Sequence, residues 1–262
     1  MRELYELILR YEGQLVFDEV LLPWLTDNEH YEEYLYQFED EYPVEHEDQW
    51  EFYALSRVLD LLTLQFQPDN NADGTPSWPG PQLTVAEYCE FVRLLDLRIS
   101  TPTHYHCFDC EILEAVKGKR DFQLLTTCFP AVKLNNLLIK RAGVIIEVNQ
   151  GDATVASLNT ATIYWAHWRK NRKYEDLSRG WGSNSQWRTD ARIDIETDTK
   201  FIYNPQGKFN LSTDSPEVST ALKNYELTIA QAIEVVTNRQ FITLINYEEE
   251  VSPYNFRYEE IK

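Results

Sequence analysis

The sequence predicts an α+β fold: a helical N-terminal layer, then a mostly antiparallel sheet with a long C-terminal helix. Three observations carry the prediction. Up to about residue 100 apolar residues recur at helical spacing behind capping signals. Beyond Ser100, short runs rich in Val, Ile, Thr and aromatics alternate with turn residues, as paired strands do. Near residue 215 a Ser-Pro pair opens a further helical stretch. With 262 residues, 43% of them hydrophobic and 13% aromatic, the chain can bury a substantial core in one large domain or two modest ones.

Along the chain, Leu4, Leu7, Ile8 and Tyr11 share one helical face. A second helix is expected near Thr26, where Thr26 and Glu29 have capping-box spacing. Tyr31, Tyr34, Leu35, Phe38 and Tyr42 form its inward stripe, Glu29, Glu33, Tyr36 and Asp40 lie opposite, and Pro43 ends it. A longer helix follows over 45–66, with Phe52, Leu55, Leu59, Leu62 and Phe66 as its buried stripe. Residues 67–81 read as a loop, and Thr84 with Glu87 opens a helix to about Leu97.

In the sheet region, 107–116 and 121–128 flank a Lys-Gly-Lys-Arg turn as a hairpin, and 133–140 and 144–149 flank a second turn at 141–143. Residues 154–168 suit one long strand or two short ones. The 192–196 run alternates polar and apolar residues and leads by a turn to a strand at 201–203. Asn204 to Gly207 reads as a type I turn. Ser215-Pro216 opens a helix running to about Asn238, then a strand at 241–247 and an acidic, aromatic tail. A boundary, if there is one, falls near Ser100-Thr101-Pro102. It would divide an acidic helical region (1–100) from the sheet plus helix (101–262), which could equally form one continuous domain.

The charge is lopsided. Residues 1–96 hold 22 Asp or Glu and only Arg2, Arg10, Arg57 and Arg93 as cations, whereas the rest is nearly balanced at a net charge of −19 for the chain. From Tyr11 to Ser56 there are 14 acids, 11 aromatics and no Lys or Arg. Such a field destabilises the compact state and calls for a reason. It argues against nucleic acid or an anionic membrane as partner, since both need Lys and Arg. No apolar run is long enough for a membrane span, and the N-terminus lacks the apolar core of a signal peptide, so a cytoplasmic location is expected. Cys89, Cys107, Cys110 and Cys128 are then expected as reduced thiols.

Two readings of the acidic region stand side by side. One is a solvated helix face; the other is a docking surface for a basic protein, where carboxylates give long-range attraction and aromatics give anchors. The absence of bases favours docking, because a surface serving only solubility mixes signs. The contact residues expected are Glu29, Glu32, Glu33, Tyr36, Asp40, Glu41, Glu45, Glu47 and Asp48, while Trp24 and Trp50 could be contact or core.

The segment 179–190, RGWGSNSQWRTD, brackets Trp181 with glycines and leads through small polar residues to Trp187. It reads either as a turn packed on the sheet or as a recognition loop or small-ligand pocket using Trp181, Asn184, Gln186, Trp187 and Arg188, with Trp165 and Trp168 as further walls. GWGSNSQWRTD followed by a short strand hairpin resembles a pattern in uncharacterised bacterial proteins of the immunity type, the cytoplasmic antidotes of secreted polymorphic toxins. The resemblance covers roughly residues 179–204. It implies a stoichiometric inhibitor of one cognate toxin and implies no active site.

His104, His106, Cys107 and Cys110 form a tight His/Cys group, but the ligand spacing of a zinc finger is missing and the default is buried thiols, so no metal or cofactor is expected. Asp194, Glu196 and Asp198 alternate and could meet a metal, although alternating charge usually marks the solvent side of an edge strand. The basic run 168–173 is expected either to pair with the acidic third of the chain or to form an ordinary loop. No catalytic motif of the common hydrolase, nucleotide-binding or metalloprotease kinds is present. The expectation is therefore a non-enzymatic inhibitor of a basic effector, a nuclease being one candidate, with an enzyme or small-ligand binder around 179–190 as its rival.

Overall fold

A computed structural model describes residues 1–38, 46–68, 78–119, 122–149, 168–170, 187, 191–240, 242 and 255–262, with only the backbone at 46–47. In order they form α1 (Arg2–Arg10), a π-helical turn (Phe17–Leu21) running into α2 (Leu22–Asp27), α3 (His30–Tyr36), α4 (His46–Thr63) and α5 (Val85–Leu94). Then come β1 (Arg98–Ser100), β2 (Cys110–Lys117), β3 (Gln123–Phe129), β4 (Ala131–Leu134), β5 (Leu137–Lys140) and β6 (Ala142–Val148). The chain continues with β7 (Asp194–Glu196), β8 (Lys200–Tyr203), β9 (Phe209–Asn210), α6 (Pro216–Asn224), α7 (Ile229–Asn238) and β10 (Phe256–Ile261). This is the expected α+β class, and most strand pairs are antiparallel; β2 with β6 and β9 with β10 are the parallel ones among the described residues.

The strands make two sheets, ordered β1-β4-β5-β7-β8-β10-β9 and β2-β6-β3. The pleat of the larger sheet feeds two cores. Val132, Leu134 and Leu137 turn to the N-terminal helices with Leu4, Ile8, Leu55 and Leu59. Ala131, Leu138, Tyr203 and Phe256 face the other way, toward the smaller sheet and α6–α7. The first core thus draws side chains from both sides of Ser100. Among the described residues no helix is long and apolar enough to cross a membrane.

Capping chemistry sets several helix ends. Thr84 and Glu87 form the expected capping box on α5, and Ser215 accepts the Val218 N–H to open α6. The expected single C-terminal helix is two. Glu226 takes a left-handed φ of 53°, and Thr228 with Gln231 forms a fresh capping box that starts α7. Thr26 does not cap; its hydroxyl donates back to the Leu22 carbonyl in the last turn of α2, and α3 starts four residues later.

Both expected hairpins are wrong. β2 and β3 do not pair; β6 lies between them, because its alternate residues Ala142, Val144 and Ile146 all bury against the second core. In this region a hairpin joins β4 and β5 through Asn135 and Asn136, with Asn135 at φ 50°, a conformation asparagine tolerates. The described end of the acidic, aromatic tail is a strand, β10. β10 inserts between β8 and β9, with Tyr258 opposite Tyr203. The Asn204–Gly207 turn closes as expected through a 2.8 Å hydrogen bond from the Gly207 N–H to the Asn204 carbonyl. Residues 154–167 and most of 241–247 lie outside the described residues.

Candidate functional site

Of the residues expected to meet a partner, Glu32 and Glu33 stand exposed on α3, and Glu29 on its N-cap. Tyr36 closes the same helix and is 50% exposed. Glu32 and Tyr36 also border a narrow cleft with Asp96 and Asn135. His30 Nδ1 lies 3.5 Å from Glu33, while Glu29 and Glu32 have no ion pair among the described residues. Asp48 plays a different part: half-buried, it accepts a 2.8 Å hydrogen bond from the Tyr34 hydroxyl and braces α3 on α4. Burial, then that bond, pushes the Tyr34 hydroxyl well up. Asp40, Glu41, Glu45 and the Glu47 side chain lie outside the described residues. Trp24 is core, edge-on to Tyr31, and Trp50 is half-buried.

Other carboxylates are engaged by cations. Glu196 receives Lys133 and Lys262, both at 2.8 Å, and Glu259 receives Lys200 and Arg257. Burial alone would raise the Glu196 carboxyl, but the two lysines hold it below its usual range.

Among the described residues a dense cluster of charge is interior. A cavity of about 50 Å³ lies between α4 and β5, walled by Phe52, Tyr53 and Ser56 on the helix and by residues 137–141 and 191–193 on the sheet. Two ion networks meet there. In the first, Asp60 receives Lys140, Arg169 Nη1 at 3.1 Å and Arg57 at 3.6 Å. Arg169 also forks onto Glu111 through Nε and Nη2. The 168–173 run thus reaches the acidic third of the chain through Arg169. Burial would lower Arg169, but Asp60 and Glu111 outweigh it and raise it; burial does lower Lys140, despite Asp60.

The second network centres on Asp194, which is fully buried on β7, between β5 and β8. This corrects the solvent-facing edge-strand expectation, for Asp194 is an interior anchor. It accepts from Arg192 Nε at 2.6 Å, Arg239 Nη2 at 2.9 Å and the Asn204 N–H at 2.9 Å, with Arg141 Nη2 at 3.6 Å. Burial would raise its carboxyl, but the Arg192, Arg239 and Arg141 guanidiniums hold it well below the carboxylate range. Burial and the neighbouring Arg141 lower Arg239 to about 9. Arg141 is 2% exposed; its Nη2 donates to the Thr237 carbonyl, and its Nε and Nη1 have no hydrogen-bond partner among the described residues.

The His/Cys group does not converge as a set of four. His104 is exposed and Cys110 is buried in the second core. Cys107 sits in the turn before β2, not on the strand, where His106, Cys107 and Glu260 bring ligand atoms within 4.8 Å of one another. The His106 Nδ1 accepts the Phe108 N–H at 3.2 Å, which places the ring proton on Nε2, 3.5 Å from Glu260. That tautomer directs a donor, not a lone pair, at the centre of the group. The Tyr203 hydroxyl donates to Glu260 at 2.7 Å, and burial pushes the Cys107 thiol up. The arrangement suits a proton-bearing hydrogen-bond chain better than a metal.

Trp187 is 7% exposed and packs edge-on against Tyr5 at 5.2 Å, so it is a core residue and not a recognition side chain. Trp168 packs on Trp78 and donates to the Tyr5 hydroxyl. Trp181, Asn184, Gln186 and Arg188 lie outside the described residues. Sequence reasoning missed Arg141, Lys140 and Asp60. Their signal is a charge isolated in an apolar run, as in LLIKRAGVII and RVLDLL. No family model matches the chain, and no curated protein or solved structure matches it.

Proposed function

We propose that this protein is a non-enzymatic binding protein of the immunity type, which occludes a basic effector through the acidic face of α3 and its flanks. One observation carries the reading: Glu29, Glu32 and Glu33 are exposed and, among the described residues, without a Lys or Arg partner, whereas Asp60, Glu111, Asp194, Glu196 and Glu259 each hold one or more cations. An unneutralised patch beside the half-exposed Tyr36 offers steering charge and an aromatic anchor together. The resemblance of the 179–190 segment to immunity-type proteins points the same way. The partner would be a protein with a basic surface, nuclease toxins being the natural first candidates.

The test is to mix the full chain with purified basic toxin domains and measure binding against salt. Tight, salt-sensitive binding that is lost in Glu29→Lys/Glu32→Lys/Glu33→Lys supports the reading; binding indifferent to those reversals sinks it. A small-ligand reading keeps one favouring observation, that the interior cavity is lined by Ala191 and Arg192, which directly follow the tryptophan-rich segment in the sequence.

A further inference from the structure

The cavity between α4 and β5 plays no part in the docking proposal. A single water needs roughly 10–15 Å³ of such space, so one of about 50 Å³ holds a few waters or one small oxyanion. Its charged lining is mostly cationic: Lys140, Arg141, Arg169, Arg192 and Arg239, against Asp60 and Glu111, with Asp194 directly behind. Among the described residues the lining carries five cations against two carboxylates, a surplus of three positive charges, inside a chain whose net charge is −19. Lys140, Arg141 and Arg169 are each at most 5% exposed, so bulk water does not screen them. Buried charge calls for a counter-charge. Arg141 lines this space, and its buried Nε and Nη1 have no hydrogen-bond partner among the described residues.

We propose that the cavity is a binding site for a small tetrahedral oxyanion of the phosphate class, anchored by Arg141 with Arg192 and Arg239 beside it. The three guanidiniums reach the site from different elements: the end of β5, the start of β7 and the C-cap of α7. Convergence from several sides suits a tetrahedral anion better than a flat carboxylate, and guanidinium groups match phosphate oxygens in charge and spacing. A hydrogen phosphate brings two negative charges and offsets most of the surplus. The site is independent of the α3 face, so either proposal can fail alone.

The test is isothermal titration calorimetry of the full chain with inorganic phosphate at constant ionic strength, with acetate as the carboxylate comparison. The expected result is one saturable phosphate site and a weaker response to acetate. Arg141→Met is expected to lower phosphate affinity about tenfold or more, since it deletes charge-assisted hydrogen bonds. Arg141→Lys should fall between, and the exposed Arg10→Met should match the unaltered protein. If Arg141→Met does not fold, the unaltered protein decides the matter. No saturable heat in the millimolar range overturns the site, as does a preference for acetate. An equal loss in Arg10→Met, or a crystal structure with one of the chain's own carboxylates in the cavity, overturns it too.

Discussion

Replacing Asp194 with Asn tests whether the interior arginines depend on one carboxylate. The side chain is fully buried and accepts hydrogen bonds from Arg192, Arg239 and the Asn204 N–H, with Arg141 close by. Asn keeps the shape but loses the charge, and its amide group turns a donor toward guanidiniums that cannot accept. Removing one partner of a buried charge network costs about 3–5 kcal/mol, a large share of the roughly 5–15 kcal/mol that holds a domain folded. In urea, followed by tryptophan fluorescence, the midpoint should fall by on the order of 1 M or more. The pH dependence has a definite sign. The folded Asp194 carboxyl lies below its unfolded value of about 3.9, so its stabilisation is complete above that pH and is lost as the pH falls through the lower, folded value. The gap between the two proteins should be constant near neutrality and narrow only below about pH 4. A loss under about 1 kcal/mol at pH 7 would refute the view that Asp194 holds this cluster together.

Three further outcomes are expected. In Gly143→Ala the new Cβ runs into the Phe129 ring and comes within 2.6 Å of Leu113 Cδ1, so β6 should lose about 1–3 kcal/mol, read as an earlier urea midpoint with unchanged slope. Thr84→Ala removes a capping box and should cost about 1 kcal/mol; a cost near zero would mean that packing alone fixes the start of α5. Asp60→Asn and Lys140→Met each break a buried pair. In a double-mutant cycle their coupling should exceed about 1 kcal/mol, and additive losses would show that the pair acts independently.

The helical layer was legible because its information is local. The stripe at Phe52, Leu55, Leu59 and Leu62 is buried as the 3.6-residue period requires, and Thr84 and Ser215 mark the starts they announce. Strand partners were not legible, because pairing is non-local. The Lys-Gly-Lys-Arg sequence looked like a hairpin turn, yet β6 takes the place beside β2, and nothing near residue 118 encodes that choice. The Asn135-Asn136 and Thr228–Gln231 signals were present and overlooked, both being short polar interruptions inside apolar stretches. At the acidic face the exposure of Glu29, Glu33 and Tyr36 followed from helix periodicity, whereas the turning inward of Asp48 depended on where Tyr34 came to rest. The interior arginine cluster draws on β5, β7 and α7, so only the folded chain assembles it.

The position of β10 constrains the order in which this molecule can be built. β8 and β9 are near neighbours in the sequence, yet the sheet joins them only through a segment some fifty residues further along, as the 203↔258 and 209↔256 registers record. Until that segment arrives, β8 presents one open row of amides and carbonyls, a template for any passing strand. Closure over so long a loop is slow compared with helix formation. A nascent or truncated chain should therefore carry a finished helical half beside an unguarded sheet margin, and any self-association on the way to the native state is expected to begin there.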